Sequence, residues 1–155
     1  MLTRLVPLFI ALALLASSPA PAASRPPPAV IAAVKQELEA GGSDTRLAAH
    51  LLQPVRIGKT SAWRVDFEKA GSADWCGSGG CRVMLLAAGP GKWHPVFDRQ
   101  VRQFRLEGTL LTLELYGKFC GKAGNAPCMA RYRWDDAKGV WQPRDQAPPP
   151  LPPPD

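Results

Sequence analysis

Apolar residues first recur at helical spacing and then, from about residue 60, at a spacing of two. Val30, Val34 and Leu38 lie four apart with Ile31 beside them, and Lys35, Gln36 and Glu39 fill the wetter positions between. That spacing predicts a helix over 29–40. Gly41-Gly42 ends it, because glycine is favoured where a helix stops. Ser43 or Asp44 can cap a second short helix running through Leu52, with Leu47 and Leu51 as its apolar edge and Pro54 just beyond its end.

The period of two begins where Trp63, Val65 and Phe67 alternate with Arg64, Asp66 and Glu68, which predicts a half-buried strand. Val83 to Ala87 is an unbroken apolar run and suits a central strand covered on both faces. Gly89-Pro90-Gly91 predicts a turn, with Trp93 to Phe97 returning as a strand. Val101 to Leu106 and Thr109 to Tyr116 are joined through Glu107-Gly108, a tight hairpin connection. Met129 to Trp134 alternates again, and a turn over 135–139 leads to a short last strand at 140–142. The expected fold is α+β and mostly β, with one or two N-terminal helices packed on an antiparallel sheet of about six or seven strands. The helix is the piece available to cover the apolar face of the sheet.

Composition changes the picture at both ends. Arg4, the apolar stretch Leu5 to Ala16 and the small residues up to Ala23 have the three-part form of an export signal. Ala20-Pro21-Ala22 and Pro21-Ala22-Ala23 both fit the cleavage rule. The apolar stretch is shorter than the roughly 20 residues that span a bilayer. The expected organisation is a signal peptide over 1–23 and a Pro-rich spacer over 24–28. A single disulfide-stapled domain follows over 29–146, then a disordered Pro-rich tail over 147–155. The location this implies is periplasmic or secreted, with no membrane span once the signal is removed. The formal charge of +6, from 19 basic and 13 acidic residues, points to weak attraction for anionic surfaces.

Four cysteines in an exported chain predict two disulfides. Glycine-rich segments separate Cys76 from Cys81 and Cys120 from Cys128, and glycine lets a chain fold back on itself. The local pairing Cys76–Cys81 and Cys120–Cys128 is therefore expected. Each such bridge stabilises by about 2–3 kcal/mol in the loop-entropy picture, so its work is to pin a turn.

The run Asp74-Trp75-Cys76-Gly77-Ser78-Gly79-Gly80-Cys81, followed by an apolar strand and later by Tyr132-Arg133-Trp134-Asp135, resembles small exported proteobacterial proteins. These carry a Cys-Gly-x-Gly-Gly-Cys turn in a helix-plus-antiparallel-sheet domain. The resemblance covers roughly 60–142 and implies fold and compartment. The group has no established biochemical activity to carry over. Many of its members have an acidic turn ahead of the Cys-Gly run, where this chain has Asp66-Phe67-Glu68-Lys69-Ala70-Gly71.

Candidate chemistry is sparse. Gly77-Ser78-Gly79-Gly80 with His50 and Asp66 upstream has the order of a serine-protease triad, but a triad needs a large pre-organised scaffold. The cysteine spacings suit neither a Cys-x-x-Cys redox pair nor a structural zinc site. His50 and His94 read as structural or exposed residues. No cofactor, metal or catalytic set is expected. Asp66, Glu68, Asp74 and Glu114 are scattered carboxylates. Of five tryptophans, Trp75 is the least committed to a core face and is a candidate binding residue. Arg131 and Arg133 leave one face of a strand, and Arg102 and Arg105 are candidates to join them. The expected function is a non-enzymatic binding or interaction module whose partner is an anionic envelope polymer or an envelope protein, not nucleic acid. The alternatives are a small envelope hydrolase using carboxylates, or an inhibitor of an exogenous hydrolase such as lysozyme.

Overall fold

A computed structural model of the protein describes residues 25–144. The expected export signal and Pro-rich tail lie outside these residues. Helix α1 spans Pro28–Ala40 and the strands are β1 Leu52–Ile57, β2 Thr60–Asp66, β3 Cys76–Gly77, β4 Gly80–Ala88, β5 Trp93–Val101, β6 Gln103–Glu107, β7 Leu110–Tyr116, β8 Pro127–Asp135 and β9 Val140–Pro143. The class is α+β and mostly β. Every strand pairing is antiparallel.

The strands form two sheets instead of one. The first has order β1-β2-β4-β3 with β5 also on β4; the second has order β6-β7-β8-β9. The helix lies on one side of the first sheet and the second sheet on the other. Val30, Val34 and Leu38 are fully buried against Trp63, Val65, Met84 and Leu86. Val83, Leu85 and Ala87 of the same strand β4 face the opposite way, toward Leu111, Leu113, Leu115 and Tyr132 of the second sheet. The apolar run in β4 is thus explained: it is the shared wall of two cores.

Two expectations are corrected. Among the described residues no second α-helix forms; the segment after α1 makes a 3-10 turn at Thr45–Leu47 capped by Asp44, whose carboxylate accepts from the Arg46 amide at 2.9 Å. Strand β1 follows, and Pro54 lies inside it opposite Trp63. A proline is tolerated there because β1 is an edge strand, where a missing donor faces away from the ladder. The single-sheet expectation fails at Arg102. Beyond Val101 the chain bends and leaves the first sheet for the second. The Arg102 amide donates to the Glu114 carbonyl at 2.8 Å while Gln103 is registered against the same residue, so two residues oppose one. Such a bulge turns a strand between sheets.

Tyr132 is completely buried in the second core and its hydroxyl has no hydrogen-bond partner among the described residues. Burial pushes its hydroxyl pKa above the ordinary tyrosine value, opposed by the charge of Arg99. The neutral form is favoured in the fold, so this contribution is intact below pH 10. It is lost above pH 10, as the unfolded chain ionises first. Because the buried hydroxyl has no partner among the described residues, Tyr132→Phe should raise stability by about 1 kcal/mol at neutral pH. It should also flatten the alkaline decline, measured by urea unfolding at pH 7 and above pH 10. A destabilised variant would show that the hydroxyl has a partner.

Candidate anion-binding surface

Strand β8 alternates without a break: Cys128, Ala130, Tyr132 and Trp134 are buried, while Met129, Arg131 and Arg133 are exposed. The register then fixes who stands beside the arginines. Arg105 of β6 is opposite Thr112 of β7, which is opposite Arg131, and the Arg144 amide donates to the Arg131 carbonyl at 3.0 Å. Arg133 lies two residues along, opposite Leu110 and Gln142. The outer face of the second sheet thus carries Arg105, Arg131, Arg133 and Arg144. Arg105 is 73% exposed and holds Glu107 at 2.7 Å. An exposed pair of that kind is weak and can be exchanged for another anion. Glu107, Glu114 and Asp135 interrupt the positive field of this face.

Arg102 is not on the face with Arg131. It stands at the corner between the sheets and ties together the two disulfide loops, Cys76–Cys81 and Cys120–Cys128. Its Nε donates to the Ser78 carbonyl at 3.2 Å, and Nη1 and Nη2 donate to the Asn125 carbonyl at 3.0 Å and to Asn125 Oδ1 at 3.2 Å. Its guanidinium also lies over the Tyr116 ring, 5.4 Å from the centroid. Lys118 and Arg99 sit over Phe119 at 5.2 and 5.4 Å. Sequence reading missed Lys118, Lys122 and Arg144. A signal for the first two was present: residues 115–134 contain no Asp or Glu.

Trp75 is poorly placed to meet a ligand, because it is only 6% exposed. Its ring stacks on Phe67 at 4.5 Å between centroids and its Nε1 donates to Ser43 Oγ at 2.8 Å. The turn after α1 can approach the indole this closely because Gly41 has no side chain; a Cβ there would strike the ring. Arg82 covers both rings, at 4.9 Å from Phe67 and 5.4 Å from Trp75, and binds Asp98 and, at 2.8 Å, Glu37. Its hydrogen bonds to Asp98 hold the guanidinium pKa further above its ordinary value. Arg82 therefore ties α1 to the first sheet.

The four carboxylates fall in three places. Asp66 and Glu68 line one groove between the sheets, about 370 Å³, together with Arg64, Arg102 and Phe104. Asp66 is bound there by Arg64 at 3.0 Å. Asp74 accepts from Ser72 Oγ at 2.8 Å on a separate turn, and Glu114 lies on the outer face of β7. Ser78 and Gly79 form the tip of the hairpin closed by Gly77 and Gly80. Among the described residues no hydrogen bond joins Ser78 to His50 or Asp66, and no group of three His, Cys, Asp or Glu is placed to hold a metal. No helix among them is long and apolar enough to cross a membrane.

Compared with protein-family models, curated proteins and solved structures, the chain matches none.

Proposed function

We propose that the protein is a non-enzymatic binding module, periplasmic or secreted, that docks an anionic envelope polymer on the outer face of the second sheet. The observation that carries this reading is the row Arg105–Thr112–Arg131–Arg144 with Arg133 beside it. The residues alternating with Arg131 and Arg133 are fully buried, so the arginines are held by a rigid strand. A guanidinium presents a planar fork that matches carboxylate and phosphate oxygens. The hydrolase alternative rests on the groove holding Asp66 and Glu68. There Arg64 already holds Asp66 in an ion pair, which competes with its use on a substrate. Inhibition of a basic hydrolase is disfavoured by like charge.

The test is retention on immobilised polygalacturonate, a polymer of carboxylated sugars, across a salt series. Arg131→Ser/Arg133→Ser should weaken binding roughly five- to tenfold at low salt, the range expected for losing two exposed charge contacts. Binding of the unaltered chain should fall as salt rises, because charges are screened beyond about 8 Å at physiological salt. Equal retention of both proteins at low salt would remove this face as the site.

A further inference from the structure

We infer that the polymer is gripped at the Cys120–Cys128 corner, where Arg99, Arg102 and Lys118 lie over Tyr116 and Phe119 and Lys122 stands on the disulfide loop, and that its units are carboxylated sugars. This rests on the anionic-polymer reading and adds a locus and a ligand class to it.

Charge favours the corner. Among the described residues none of these four cations is in an ion pair, whereas Arg105 on the sheet face is held by Glu107. The whole stretch 115–134 is free of Asp and Glu, so the loop offers an incoming carboxylate no like charge. The corner is therefore less self-neutralised than the arginine row.

Its side chains are also ordered in advance. Arg102 is fixed by its bonds to Ser78 and Asn125, and Lys118 lies over two rings, 5.9 Å from Tyr116 and 5.2 Å from Phe119. The cation–ring contacts restrain these side chains; Lys118 keeps its ammonium donors, and Arg102 keeps one N–H on each of Nη1 and Nη2 beyond its bonds to Asn125. The Cys120–Cys128 bridge closes the loop that presents Lys122. Little side-chain entropy then remains to be lost when an anion arrives.

The corner is continuous with the sheet face. Tyr116 projects from the outer side of β7, the side that carries Thr112 beside Arg131, with Glu114 as the one carboxylate between them. A chain lying along that side can meet the arginine row and the corner together. Aromatic rings set among cations offer an apolar surface to the C–H face of a sugar ring that also bears a carboxylate, a contact a ring-free polyanion cannot make.

The experiment compares polygalacturonate with polyglutamate of matched length, using the oxidised protein, Lys118→Ser/Lys122→Ser and Phe119→Leu. Both lysines are exposed, so their replacement should leave the melting temperature unchanged. The lysine variant should bind either polymer roughly three- to tenfold more weakly. The unaltered chain should stay on polygalacturonate to higher salt than on polyglutamate, and Phe119→Leu should narrow that difference. If Lys118→Ser/Lys122→Ser binds like the unaltered chain while Arg131→Ser/Arg133→Ser does not, the corner is not the grip, although the sheet face stands. Equal retention of the unaltered chain on the two polymers would overturn the sugar assignment. Failure to bind either polymer would overturn the functional proposal itself.

Discussion

Gly80→Ala should destabilise the protein by about 3–5 kcal/mol, at the upper end of single-substitution effects. Gly80 has φ +96°, a region that costs a side-chain-bearing residue of order 1–3 kcal/mol. Lack of space costs more than this strain. A Cβ at this position would overlap the Val101 carbonyl of β5. The obstacle is backbone, so no rotamer change relieves it, and either the Cys76–Cys81 hairpin or the corner at Arg102 must move. Thermal unfolding under oxidising conditions should show a midpoint lowered by roughly 10–20 °C. Gly79→Ala is the control. Its Cβ would come no nearer than 3.5 Å, to Gln100 Oε1, and its cost should stay below about 1 kcal/mol. Similar midpoints for the two variants would show that the hairpin does not pack on β5 as described.

Trp75→Ala should cost about 3–5 kcal/mol, the usual range for emptying a large aromatic site. The indole fills the space between the turn after α1, Phe67 and Arg82. Its loss also leaves Ser43 Oγ without its donor. Trp75→Phe keeps a ring but not the N–H, and should cost less. Polymer retention at a temperature where both variants are folded should match the unaltered chain. A variant that melts normally and no longer binds polymer would place Trp75 in the ligand site and contradict its burial.

Some of this was legible in the sequence and some was not, for physical reasons. Arg131 and Arg133 were read as a wet face because a strand's side chains alternate strictly, and a buried Tyr132 between them leaves no other arrangement. The run in β4 announced a strand covered twice, but not that a second sheet supplies one cover. The corner is marked only by two consecutive polar residues, Arg102-Gln103, between Val101 and Phe104, and one broken step in an alternation reads as easily as a strand end as it does a bulge. Strand β1 was masked by Pro54, which also terminates helices. Trp75 looked uncommitted because its partners Gly41, Ser43 and Phe67 are supplied by other segments. The cationic corner was missed for the same reason. Arg99 and Arg102 leave the first sheet where Lys118 leaves the second, and only the fold brings them over Tyr116 and Phe119.

The central claim is that the exposed basic surface of the second sheet, and not the groove between the sheets, meets the ligand. The most direct measurement is amide chemical-shift mapping of the ¹⁵N-labelled oxidised chain titrated with polygalacturonate at low and high salt. The account predicts shifts at Arg105, Arg131, Arg133 and Arg144 that extend to Lys118 and Lys122 and disappear at high salt. Shifts confined to Arg64, Asp66, Glu68 and Phe104, or shifts that persist at high salt, would contradict it.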